Sequence, residues 1–292
     1  MLTAFILCRF LHFTAVMLLF GASAFVWAIA PGDLAGALMG PVRRMIAAAT
    51  VVAAITALVW TMLEGGQMGD GWTDTYNPEV VTNVLFDTAF GRVWIWRLAL
   101  LLILLAALTF RGLNRLPFIV PISALLLASL GLVGHATMQS GLIGALQRLN
   151  HCVHLLSAGA WVGGLAPFIL CLRRYDDPRL QSDVGAALRR FSGSGHFVVA
   201  LIVLTGAVNT ALTLRAWPID LMSPYQALLD AKVAIVAAMI ATAMFNRYIL
   251  APRMKHDTGA ALRALTINSA AEAALGMAVI GLVSIFAILE PV

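Results

Sequence analysis

The sequence predicts an all-α, polytopic membrane protein: a bundle of about eight transmembrane helices with both termini on the outer face. Three observations lead there. Of the 292 residues, 61% are hydrophobic and only 11% are charged, against about 25% charged in soluble domains. Mean hydropathy is +0.91. The apolar residues also fall into runs of about 20, the length that crosses a bilayer. So little charge leaves too little polar surface for a soluble enzyme. A disordered chain and a disulfide-stapled module are excluded as well, since Cys8, Cys152 and Cys171 all lie in apolar stretches.

The runs occupy 2–30, 45–64, 93–110, 117–137, 149–172, 191–213, 227–249 and 267–289. The first resembles a signal peptide, with small residues at Ala22 to Ala24, but Arg9 and His12 interrupt its apolar stretch. A signal's apolar region is uncharged, so the run is read as a retained helix. Between the second and third runs lies the longest outer loop, 65–92, opening on Gly65-Gly66-Gln67-Met68-Gly69-Asp70-Gly71-Trp72. Within it, Pro78 followed by Val80, Val81, Val84 and Leu85 predicts a short amphipathic helix at the membrane surface. The whole chain, 1–292, is read as a single integral-membrane domain with no internal repeat.

Orientation follows from Lys and Arg. The segments after the first, third, fifth and seventh runs hold 13 of the 19 cations, among them Arg43, Arg44, Arg111, Arg173, Arg190, Arg253 and Lys255. Cytoplasmic loops collect such charge, so both termini face outward. Loop 65–92 carries Asp70, Asp74, Glu79 and Asp87 against a single Arg92, and Trp72, Tyr76, Trp94 and Trp96 suit an interfacial belt. The net charge of +5 is therefore a topology signal, with no nucleic-acid partner; the partner it implies is the lipid bilayer.

Ionisable residues inside a membrane mark function by default. His12 lies ten residues into the first run, about 15 Å from its outer end. His135 ends the fourth run, and His151 and His154 begin the fifth, where an i, i+3 pair shares one helix face. Four histidines from three helices thus occupy the outer half of the membrane. Soft sulfur accompanies them: Cys8 one turn before His12, Met138 after His135, and Met62 and Met68 at the outer end of the second run. Imidazole with thiolate and thioether points to copper before zinc. Met17, Met239, Met244 and Met277 read as core filler, and Cys152 points along another face than its histidine neighbours.

Deeper, toward the cytoplasm, His196 and Glu272 lie at similar depth, either as an inner ion relay or as a structural pair. Arg9, Arg97, Asp230 and Lys232 lie near outer helix ends, where snorkelling explains them. His256, in a basic loop, is solvated. There is no Walker loop, dinucleotide fingerprint, CxxC or HExxH, so transport would run on a gradient, an exchange or a partner.

Eight blocks in order resemble one family. They include Arg9-Phe10-Leu11-His12-Phe13-Thr14, the Gly65 to Asp74 segment and Gly134-His135-Ala136-Thr137. Further blocks are Asn150-His151-Cys152-Val153-His154-Leu155, Ala160-Trp161-Val162-Gly163-Gly164-Leu165, Arg190-Phe191-Ser192 with Gly195-His196-Phe197, and Asn246-Arg247-Tyr248. The chain resembles, over its whole length, the bacterial copper-resistance protein D (CopD) family of inner-membrane proteins, including its PcoD and YebZ branches. The resemblance implies a multi-pass protein of copper homeostasis that takes copper ions, Cu(I) or Cu(II), from the periplasm to the cytoplasm, with a periplasmic CopC-type copper-binding partner.

Two expectations follow. As a transporter, the protein would receive copper at His135, His151 and His154 with Met138 and Met68, pass it along His12 and Cys8, and release it by His196 and Glu272. As a redox protein, it would bind b-type haem, with His12 and His154 as axial ligands and the Trp161, Gly163-Gly164 segment beside the macrocycle. Such a protein would act as a cupric reductase. Small residues at Ala160, Gly163 and Gly164 equally suit plain helix packing.

Overall fold

A computed structural model describes residues 1–109, 115–134, 141–214 and 223–286. Among them every regular element is helical, and seven helices are long and apolar enough to cross a membrane, with an eighth, shorter apolar helix over Leu116–Leu132. In chain order the α-helices are α1 (Leu2–Ala24), α2 (Gly32–Met68), α3 (Pro78–Asp87), α4 (Ala89–Thr109), α5 (Leu116–Ala128), α6 (Gly141–Leu172), α7 (Gln181–Leu214), α8 (Pro224–Phe245), the one-turn α9 (Ala251–Arg253) and α10 (Thr258–Phe286). The all-α, polytopic architecture read from the apolar runs is the one observed.

Helices outrun the apolar stretches that predicted them. Helix α2 has 37 residues, about 55 Å at 1.5 Å per residue, nearly twice the hydrocarbon core. Arg43 and Arg44 lie inside it rather than in a loop. Hydropathy marks where lipid ends, and arginine is a good helix former, so the helix continues where the apolar run stops. For the same reason α6 starts eight residues before its run and α7 starts ten before. Proline interrupts α2, α5 and α6 at Pro41, Pro121 and Pro167 without ending them, as membrane helices allow. Helix α1 loosens into a π turn over Phe25–Ile29, and Pro31 in extended conformation starts α2. Helix α3 is capped by the Asn77 side chain, which accepts from the Glu79 N–H at 3.1 Å.

Helix α1 is the central element, packed against α2, α5, α6 and α10. In lipid, helix association depends on close packing rather than on water release, so small residues mark the tightest seam. Here it is α1 against α6. A Cβ on Gly21 would collide with the backbone of Gly159 and Gly163; one on Gly163 would collide with the Met17 carbonyl and come within 3.1 Å of the Gly21 Cα. Gly163→Ala is therefore expected to destabilise by about 1–3 kcal/mol through overpacking. Thermal unfolding in detergent checks it, and a midpoint at or above wild type would refute the seam.

That seam separates two cavities, one at each end of the bundle. The first, about 480 Å³, lies at the end where α1 begins and α2 finishes. The second, about 500 Å³, lies at the end of the basic segments, between α1, α6, α7, α8 and α10.

Candidate functional site

One face of α6 lines the first cavity. Gln147, His151 and His154 follow at i, i+4 and i+7, so they project from a single stripe. The two imidazoles are near-parallel, 14° between planes and 6.3 Å between centroids. They stand in the third and fourth turns of α6, deeper than a helix starting at 149 would put them. Each Nδ1 is held by α7: Thr205 Oγ1 lies 2.9 Å from that of His154, and Asn209 Nδ2 lies 3.1 Å from that of His151. The His154 ring packs on Gly206, where a Cβ would come within 3.5 Å. Arg9, Trp60, Glu64 and Lys232 also line the cavity. Trp60 donates to Glu64 Oε2 at 3.2 Å, and the Arg9 guanidinium lies 5.1–5.7 Å from the ring centres of Phe5, Phe13 and Trp60.

His12 is not brought to this pair. It is fully buried, with Nδ1 2.9 Å from Thr56 Oγ1 and Nε2 accepting from Arg97 Nη2. Trp60 and Trp94 close over it at 5.6 and 5.8 Å. Because Arg97 can only donate, the His12 proton sits on Nδ1, and no ring nitrogen is left for a metal or a haem iron. Cys8 donates to the Thr56 carbonyl at 3.2 Å on the same buried face, away from the cavity. Met68 is 55% exposed at the end of α2 and lines neither cavity. His135 and Met138 lie outside the described residues. Among the described residues no three His, Cys, Asp or Glu side chains gather into a metal site.

Arg97 corrects the expectation of snorkelling. Its side chain is 0% exposed and its guanidinium donates to the Leu126 carbonyl at 2.7 Å, to Ser129 Oγ and to His12. Arg9 and Lys232 likewise face the cavity rather than the membrane surface. Trp94 is core, donating to the Ala57 carbonyl at 3.0 Å, so of the four expected belt residues Trp72, Tyr76 and Trp96 are exposed.

His196 and Glu272 both line the second cavity but do not touch. His196 Nδ1 lies 3.0 Å from the Ser192 carbonyl and Nε2 lies 2.9 Å from the Tyr248 hydroxyl. Glu272, 3% exposed, accepts from Asn246 at 2.8 Å, and Asn246 in turn accepts from Asn268 at 3.0 Å. No cation pairs with Glu272 among the described residues. Phe25, Phe168 and Phe191 form the aromatic wall beside them.

Comparison with known proteins gives this arrangement its context. Residues 1–145 match the family model described as Copper resistance protein D-like, N-terminal domain, and 185–286 match that described as Copper resistance protein D. The Inner membrane protein YebZ of Escherichia coli (strain K12) is 35% identical over 285 residues, covering 97% of each chain. The chain belongs to the copper resistance protein D family. The Copper resistance protein D of Pseudomonas syringae pv. tomato is 27% identical over 97% of this chain and 95% of its own. The Copper transport protein CutJ of Bacillus subtilis (strain 168) is 28% identical over 75% of this chain and 40% of its own. No solved structure matches significantly.

This copper resistance family member keeps polar residues in its cavity that the sequence did not single out. Gln147, Glu64 and Asn209 line it, and Thr205 stands behind His154. A stripe signal was available for Gln147, one turn before His151 on the same face. Thr205 and Asn209 are neutral, and only the α6–α7 packing shows what they hold.

Proposed function

We propose that this copper homeostasis protein receives copper from the periplasm at His151 and His154 and moves it across the bacterial inner membrane to the cytoplasm. The observation behind this is the stacked imidazole pair on one face of α6, inside a cavity at the end of the bundle that the charge distribution assigns to the periplasm. With both termini outside, the basic segments around the second cavity face the cytoplasm, and Glu272 with Asn246 and His196 serves as the inner station. His135 and Met138 directly precede α6 in the chain and are the candidate entry ligands. The acidic loop 65–92 lies at the same end, where a periplasmic CopC-type partner would deliver its ion. A similar inner-membrane relative supports the location.

Copper enters this scheme as cargo, so each station must release it again; a weak, under-coordinated pair of imidazoles meets that need. A b-type haem held by His12 and His154 is the competing assignment, and the double engagement of His12 speaks against it. Purified protein in liposomes is expected to accumulate copper above protein-free vesicles and to show no Soret band. A Soret band that shifts on reduction would replace the transporter by the haem protein, and accumulation equal to empty vesicles would reject transport.

A further inference from the structure

The two cavity histidines are chemically unequal, and Thr205 makes them so. The Thr205 hydroxyl has one proton, which it donates to the Leu201 carbonyl. Toward His154 its oxygen can therefore only accept, so His154 carries its proton on Nδ1 and keeps a lone pair on Nε2. The Thr205 backbone carbonyl fixes the other ring through a chain of three amide contacts. A carbonyl only accepts, so the Asn150 atom 2.9 Å away is the amide nitrogen. That same nitrogen lies 2.9 Å from Asn209, which must meet it with Oδ1. Asn209 then turns Nδ2 toward His151 Nδ1 at 3.1 Å, and His151 Nδ1 must accept. Its proton is on Nε2. Flipping either amide would set two acceptors or two donors face to face, so the assignment is enforced along the chain.

Both Nε2 atoms have no hydrogen-bond partner among the described residues, and neither is sealed from the cavity. One ring thus offers the cavity a lone pair and its neighbour, 6.3 Å away, offers an N–H. Two lone pairs would clamp a bare cation. A lone pair beside an N–H instead suits a metal ion that still carries a water or hydroxide, whose oxygen accepts from the N–H.

We propose that copper is bound through His154 Nε2 alone, while His151 Nε2–H donates a hydrogen bond to an oxygen ligand on the copper. This rests on the cavity being the copper-receiving site. Asn209 and Thr205 are then positioning residues: they set which nitrogen each ring presents. A single imidazole with an exchangeable oxygen ligand also explains how the site can hand its ion on.

Pulsed electron paramagnetic resonance on the full chain in detergent, loaded with Cu(II), counts coordinated imidazoles directly. The wild type is expected to show one. Asn209→Asp replaces the donor by a carboxylate that accepts from His151 Nδ1–H, freeing Nε2; this variant is expected to show two, with Cu(II) bound roughly 10–100-fold more tightly, the range typical of outer-shell changes. Two imidazoles in the wild type would overturn the proposal whatever the variant does, and so would a count of one in folded Asn209→Asp. Absence of any bound Cu(II) would overturn the receiving site itself, a result distinct from a miscount of ligands.

Discussion

His154→Ala is expected to abolish copper accumulation while leaving the protein inserted and folded. Of the cavity pair, this ring supplies the imidazole lone pair that its surroundings hold in place, and alanine leaves a small polar gap between α6 and α7 against Gly206. Loss of this ligand should weaken copper binding by on the order of 100-fold or more, beyond the outer-shell range. Thr205→Val keeps the volume and the Thr205 carbonyl but removes the acceptor for Nδ1–H, so His154 no longer has a fixed tautomer; a roughly 10-fold or greater loss is expected. His151→Ala should fall between wild type and His154→Ala, since an N–H donor is lost rather than a metal bond. Copper retained by the three purified variants, measured against a chelator of known affinity, checks the order. Equal losses at His151 and His154 would indicate a symmetric chelate, and unchanged accumulation in both would remove the pair from the copper path.

The bundle was legible in the sequence because burial in lipid leaves a one-dimensional signal. Runs of apolar residues gave every spanning helix, and the i, i+3 spacing of His151 and His154 placed their rings together. What hydropathy could not give was the extent of each helix. Arg43 and Arg44 end an apolar run without ending α2, since a helix can leave the membrane intact. Depth along a helix was also a poor guide to partners. His12 and His154 both lie in the outer half, yet His12 faces Thr56 and Arg97 within the packing of α1, α2 and α4. Distance to the helix end suggests snorkelling for Arg97, but its direction around the helix decides the matter, and it points inward. What the neutral polar side chains hold left no trace: Thr205, Asn150 and Asn209 are ordinary in any helix until α7 is laid against α6.

Replacing Arg97 by lysine should harm the fold more than replacing it by methionine. The guanidinium is a fork: one arm reaches the Leu126 carbonyl and Ser129, the other His12. Lysine keeps a buried charge but cannot hold the planar fork across all these acceptors. No carboxylate pairs with Arg97 among the described residues, so its hydrogen bonds and the Trp94 ring, 4.9 Å away, offset its desolvation. A cation stripped of part of its partners loses about 3–5 kcal/mol. Methionine leaves His12 Nε2 and Ser129 with fewer bonds, about 1–3 kcal/mol for an unsatisfied buried group, but it also removes the charge whose burial in a membrane helix costs about 3 kcal/mol. Thermal unfolding in detergent should therefore rank wild type and Arg97→Met above Arg97→Lys, and the reverse order of the two variants would reject this account of the site. The same methionine variant separates the two roles open to His12. Freed from Arg97, the His12 Nε2 lone pair is unengaged; if copper passed along His12, removing a fixed cation from its side should raise accumulation. Accumulation at the wild-type level, in a protein whose His154→Ala counterpart accumulates none, would place the copper route on α6 and leave His12 as a structural residue of the α1–α4 packing.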